Sequence, residues 1–265
     1  KSQTGYMEER AKFRAARKLW AMIMRDQFSV TNKKALFCRF HTQTGGSTLT
    51  ANQIDNNVVR TTIQALSAVL GGTQSLHTNS RDEALALPSE DAAELALRTQ
   101  QIIALESGIT SYSDPFGGSY VIEELTENFY KEAMLIIDEI DAIGGSIAAI
   151  ENGYVESEII RSAYEYQRKV EEKENFVVGV NIHEKEDLSE QHIQNIDLKK
   201  IDIHINRLKD LKRKRNNLEV QSSLGILKTV AKTDENVMPQ IINCARSRCT
   251  LGEISDVLRK VYGEY

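Results

Sequence analysis

The chain has 265 residues, 41% of them hydrophobic, and a formal net charge of −5. That apolar content suffices for a sizeable core and excludes wholesale disorder, while the acidic balance argues against a general nucleic-acid binder, which needs clustered Lys and Arg to hold phosphates. Cys38, Cys244 and Cys249 form no Cys-x-x-Cys pair, hence neither a disulfide framework nor a thiolate zinc site, and no apolar run approaches the roughly 20 residues of a membrane helix, so a soluble protein of a reducing cytoplasm is expected.

From the start, Met7, Phe13, Ala16, Leu19, Trp20 and Ile23 recur at helical spacing and predict an amphipathic helix within 1–28. Residues 35–40 are short and apolar and run into Arg39, His41, Thr42, Gln43 and Thr44, which predicts a buried strand with polar groups at its C-terminal end. After Gly45 and Gly46 a helix is expected over 56–70, stopped by Gly71 and Gly72, then a second strand over 73–76 leading into His77, Thr78 and Asn79. Strand, helix, strand is the pattern of a parallel sheet.

Pro88 and Ser89 open a further helix, with Ser89 as N-cap and Glu90 and Asp91 at the positive end of its dipole, running to about Ser107. Asp114 to Gly118 reads as a turn, and a domain boundary is expected at 117/118 because the composition becomes helical beyond it. Helices are expected over 127–143, 156–174 and 197–215, and from Thr250, where Glu253 completes a capping box. Only 176–181 has the look of a strand in this second part.

Two strand ends therefore gather imidazole, amide and hydroxyl groups within a few residues. In parallel α/β folds such loops form the ligand face, so these groups either converge on a pocket or hydrogen-bond buried loops. No Gly-Lys-Ser/Thr and no Gly-x-Gly-x-x-Gly follows the glycine pairs, which opposes a phosphate loop. Cys38 and His41 sit at odd spacing, which sends them to opposite faces of a strand and opposes a thiol nucleophile. The five histidines are scattered, so no metal site is expected. Asp202-x-His204 is superficially similar to a cobalt-ligating Asp-x-His-x-x-Gly element, but Arg207 stands where Gly should, and a surface helix is the better reading, as for the basic run Lys209 to Arg215.

The strings 39–50 (RFHTQTGGSTLT) and 71–79 (GGTQSLHTN), with Asp82 to Pro88, Glu106-Ser107-Gly108, Asp114-Pro115, Val178 to Asn181 and Cys249 to Ile254, resemble the large subunit of the methylmalonyl-CoA mutase family over nearly the whole chain. The resemblance implies an α/β fold: 1–117 would be the last strands and helices of an acyl-CoA-binding (β/α)8 TIM barrel, and 118–265 a helical region following it. It implies adenosylcobalamin as cofactor, with Gln43, Gly46, Glu83, Ala84 and Leu87 at cobalamin- and adenosyl-contacting positions. His41 and Gln74 would be substrate-side groups, and Lys34 would lie near the CoA chain.

The family's principal catalytic histidine and its carboxylate-selecting residues are expected upstream of Lys1, and the cobalt-ligating histidine on a cobalamin-binding domain or small subunit. No catalytic residue is therefore assigned, and the chain alone is expected to be inactive. The remainder of the barrel, the cobalamin-binding partner and an oligomer are the partners implied, with neither nucleic acid nor membrane. Phe40 and Ser47 stand where single-chain members often have Thr and Trp, a form that resembles two-subunit enzymes. Methylmalonyl-CoA to succinyl-CoA is the first expectation for the reaction, isobutyryl-CoA or a 2-hydroxyacyl-CoA the second. A non-catalytic module of the same ancestry and an unrelated barrel enzyme remain as alternatives.

Overall fold

The computed structural model describes residues 1–185, 194 and 197–264. The chain divides into two compact units, Lys1–Gln194 and Asn195–Tyr265. The first unit is helical around a small parallel sheet; the second is helical.

In the first unit, α1 (Tyr6–Asp26) buries Ala11, Phe13 and Ala15 and packs against α2 (Asn56–Leu70) and α4 (Tyr120–Ile143). Between α1 and α2 the chain forms a 3-10 turn (Lys33–Leu36), strand β1 (His41–Gln43) and a second 3-10 turn (Gly46–Thr48). Strand β2 (Ser75–His77) follows α2 and pairs with β1 in parallel, His41 opposite Ser75 and Gln43 opposite His77. This is a strand-helix-strand unit, the crossover that parallel pairing demands. On β1's other edge, Ser2 N donates to Gln43 O at 2.8 Å, and Ser2 bridges Thr44 in parallel.

Helix α3 (Glu90–Leu105) starts at Ser89, whose hydroxyl accepts from Ala92 N, with Glu90 and Asp91 in its first turn as expected. Beyond α4 come α5 (Ser146–Glu151) and α6 (Tyr154–Glu171). Packing is continuous across 117/118: Arg14 of α1 pairs with Asp114 at 3.2 Å and with Glu123 of α4 at 2.9 Å.

In the second unit, α7 (Leu198–Lys214) has no buried residue, while α8 (Asn217–Val230) packs on α9 (Met238–Arg246) and α10 (Leu251–Tyr262) around Val220, Leu224, Leu227, Cys244 and Ile254. The capping box at Thr250 and Glu253 is formed.

The fold is mainly helical with one parallel sheet of two short strands among the described residues. Several element boundaries differ from expectation. The strand expected over 35–40 is displaced to His41–Gln43. Asn32 Oδ1 accepts from Lys34 N and starts the 3-10 turn, so Ala35 and Leu36 curl rather than extend. Likewise β2 begins at Ser75, because the Thr73 hydroxyl and the Gln74 amide are bonded to nearby backbone. Residues 176–181 form a turn: Asn181 Oδ1 accepts from Val177 N at 2.7 Å and Gly179 adopts φ +83°. Helix α4 starts at Tyr120 rather than 127, and α5, α8 and α9 were not foreseen.

Candidate functional site

Alternation along two short parallel strands puts His41, Gln43, Ser75 and His77 on one face of the sheet and buries Thr42 on the other. The polar face is thus built by register. His41 Nδ1 lies 2.7 Å from Ser75 Oγ, and Gln43 Nε2 donates to Asn79 Oδ1 at 2.9 Å. Asn79 is 2% exposed and its backbone N donates to the Thr44 hydroxyl at 2.8 Å, which anchors its main chain to the end of β1.

The loop after β1 is braced by a residue that sequence reasoning missed. Gln64 of α2 is fully buried; its Oε1 accepts from Gly45 N at 2.9 Å and its Nε2 donates to the Thr48 hydroxyl at 2.6 Å. The signal was available: a carboxamide amid the apolar face of α2 must find partners inside. Asn57, also buried, donates to Thr50 O and Arg81 O, both at 2.8 Å, and so joins the loops after the two strands.

Bracing brings Gly46 against the loop after β2. A Cβ on Gly46 would stand 2.7 Å from Asn79 Nδ2 and 3.5 Å from Glu83 Oε1. Asn79 Nδ2 is buried and has no hydrogen-bond partner among the described residues. Gln43, Gly46 and Glu83, three of the expected cofactor positions, are therefore brought together with Asn79, a member of the polar string after β2 that was not among those positions: Gln43 bonds it, and Gly46 lies between it and Glu83. Ala84 and Leu87 are exposed on the turn that continues from Glu83, a turn closed by Leu85 N and Ala86 N donating to Asp82 O. Asp82 Oδ2 accepts from Ser89 N at 2.9 Å and ties this turn to the start of α3.

The expected substrate-side residues are placed differently from one another. His41 is exposed on the polar face. The Gln74 amide is committed to backbone, with Oε1 accepting from Phe40 N at 2.7 Å and Nε2 donating to Gly72 O at 2.8 Å. It lines a cavity of about 480 Å³ shared with Arg17, Leu36, Phe37 and Cys38. Lys34 is exposed on the first 3-10 turn. Burial pushes the Cys38 thiol up, Arg17 pulling it back, which opposes a nucleophilic role. The Phe40 ring stacks on Phe13 with centroids 5.2 Å apart, so its identity serves packing with α1.

A larger cavity of about 1180 Å³ is walled by Val59, Ile159, Tyr166 and Phe176 and reaches Ser47 and Thr48. Its Arg60 is already engaged by Asn57 Oδ1, the Thr50 hydroxyl and Val178 O, so it is no ready anion site. None of the expected site residues lines it. Among the described residues no cluster of three metal-ligating side chains occurs, and no helix is long and apolar enough to cross a membrane.

The family model described as methylmalonyl-CoA mutase matches residues 1–264. The chain belongs to the methylmalonyl-CoA mutase family. The 2-hydroxyisobutanoyl-CoA mutase large subunit of Aquincola tertiaricarbonis is 43% identical over 275 aligned positions, covering 100% of this chain and 47% of the relative. The mitochondrial methylmalonyl-CoA mutase of Homo sapiens is 42% identical over 98% of this chain and 35% of the relative, and the methylmalonyl-CoA mutase of Rhizobium meliloti 39% identical over 98% and 37%. The chain therefore spans between about a third and a half of the length of these relatives.

Proposed function

We propose that the chain is part of an adenosylcobalamin-dependent acyl-CoA mutase, an isomerase that converts (R)-methylmalonyl-CoA to succinyl-CoA. The observation that carries this reading is the meeting of Gln43, Gly46, Asn79 and Glu83 at the polar end of the parallel strands.

The donor set suits the adenosyl side of the cofactor. Asn79 offers a buried N–H with no acceptor among the described residues, Glu83 a carboxylate for hydroxyl groups, and Gly46 a backbone that leaves room beside both. Ala84 and Leu87 add apolar contact. When bound, adenosylcobalamin supplies the radical that initiates carbon-skeleton rearrangement. The chain's own residues bind and orient: His41 holds the acyl-thioester carbonyl, Gln43 is kept in place by Asn79, and Lys34 meets the CoA chain. Gln74 reaches substrate by exchanging its bonds to Phe40 and Gly72. The neutral donors His41, Gln43 and Gln74 restrict motion without offering a thiol hydrogen atom to a reactive intermediate.

We place 1–117 as the last strands and helices of a (β/α)8 barrel and 118–265 as the helical region after it. The parallel pairing of Ser2 with Thr44 supports this, since it marks an edge of β1 able to receive a further parallel strand. The rest of the barrel, a cobalamin-binding domain or small subunit, and an oligomeric assembly are the partners. Cys38, Cys244 and Cys249 are free thiols, which suits a reducing compartment such as the cytoplasm.

The identity to the Aquincola large subunit favours a second substrate reading, a 2-hydroxyacyl-CoA. One assay separates the readings. The full-length assembly is supplied with adenosylcobalamin and each of (R)-methylmalonyl-, isobutyryl- and 2-hydroxyisobutanoyl-CoA, and products are identified by mass. Succinyl-CoA formation supports the first reading, a rearranged hydroxyacyl chain the second, and isomerisation of none of them ends the enzymatic proposal.

A further inference from the structure

We infer that Ser75 is a positioning residue for His41, its hydroxyl donating to Nδ1 and so keeping Nε2 protonated and available to a ligand's carbonyl oxygen. The choice of ligand rests on the acyl-CoA reading above; the coupling of Ser75 to His41 does not.

The two residues are direct partners in the parallel register, and Nδ1 and Oγ are 2.7 Å apart. His41 is exposed, and a solvent-facing imidazole with no anchor samples several rotamers and both neutral tautomers. Among the described residues Ser75 Oγ is the only hydrogen-bond partner of the His41 ring. Ser75 itself is held on the strand, since its carbonyl accepts from the Thr73 hydroxyl at 2.8 Å and the Thr73 hydroxyl in turn accepts from that of Thr42 at 2.8 Å. The anchor is thus fixed where the imidazole is not.

The direction of the bond follows from the ligand's chemistry. A thioester carbonyl only accepts, so a neutral imidazole can bind it only through an N–H. Donation by Ser75 to Nδ1 leaves that N–H at Nε2. The opposite direction would leave Nε2 a bare acceptor facing a carbonyl. No proton is transferred in this role; ring orientation and tautomer are what Ser75 supplies.

The test pairs nitrogen NMR of the full chain, labelled at its five histidines, with kinetics of the full-length assembly. Wild type should show His41 with Nε2 protonated and Nδ1 bare. Ser75→Ala should move those signals toward a tautomer mixture and lower kcat roughly ten- to hundredfold with little change in KM. Ser75→Thr keeps the hydroxyl on a strand-favouring residue and should restore both. A protonated Nδ1 in wild type, or unchanged kcat in Ser75→Ala, overturns the proposal. Signals that respond in an assembly with no isomerase activity sink the acyl-CoA reading and leave the Ser75 to His41 coupling standing.

Discussion

Gln43 donates from Nε2 to Asn79 Oδ1 at 2.9 Å, tying the end of β1 to the loop after β2. The Asn79 backbone N is bonded to Thr44 and its Oδ1 to Gln43, which sets the carboxamide's orientation, and its Nδ2 is buried without an acceptor among the described residues. A buried unsatisfied donor costs about 1–3 kcal/mol, which an acceptor on a bound cofactor would recover. Asn79→Ala should therefore change apo stability by only about 1 kcal/mol, yet weaken adenosylcobalamin binding at least about tenfold, some 1.4 kcal/mol. Thermal unfolding and a spectroscopic cofactor titration of the full-length assembly check the two arms; unaltered affinity would remove Asn79 from the site.

Gly46 is required for space. In Gly46→Ala the new methyl would meet Asn79 Nδ2 at 2.7 Å, and that carboxamide could move only by giving up its bond from Gln43. Overpacking of this kind costs about 1–3 kcal/mol, and it should also displace Glu83 and Asn79 from the cofactor. A lowered Tm together with lost cofactor binding is expected. Wild-type cofactor affinity in this variant would show that the loop has room to spare.

Arg10 is 1% exposed, lies between the rings of Tyr6 at 3.6 Å and Phe116 at 3.9 Å, and among the described residues has no hydrogen-bond partner for its three guanidinium nitrogens. Burial lowers its pKa, with Tyr6 opposing. Cation–π contacts contribute about 0.5–2 kcal/mol, less than the several kcal/mol needed to desolvate an unpaired charge. Arg10→Met should accordingly be neutral or stabilising by about 1–3 kcal/mol in chemical denaturation. A loss of more than about 2 kcal/mol would mean that the charge has a partner elsewhere in the assembly.

In the second unit, Arg215 grips Glu253 through Nη1 to Oε2 at 2.7 Å and Nη2 to Oε1 at 2.5 Å. That bond pulls the Glu253 carboxyl from 4.5 down to about 2, against burial and with help from Thr250. A depressed carboxylate stabilises the fold above its unfolded pKa and loses that contribution as pH falls through the folded value. Stability from this pair should thus be complete above pH 4.5 and fade toward pH 2. Glu253→Ala should cost about 1–2 kcal/mol at pH 7 and almost nothing at the acid end, as followed by helical circular dichroism.

Much of this was legible in the sequence because local chemistry decides it. The spacing of Phe13, Ala16 and Leu19, the Ser89 cap and the Thr250 to Glu253 box specify helices with contacts made within a few residues, and α1, α3 and α10 form accordingly. Strand boundaries were not legible. Residues 35–40 are apolar enough for a strand, but one side-chain bond from Asn32 curls their start, and the polar string that looked like a strand's end is the strand itself.

The sequence by itself determined the family, the acidic balance of the chain, the helical character of its second part, and the residue types that the polar strand segments present. Only the tertiary structure decided which of them meet. Gln43 and Gly46 converge on Asn79, with Glu83 beside Gly46, because parallel register and the buried carboxamides of Gln64 and Asn57 fold two loops together. Gln74, one residue from Ser75, has its amide bonded to backbone. Alternation separates neighbours in sequence, and pairing across a sheet joins residues more than thirty positions apart, so which groups face each other is a property of register that no local pattern contains.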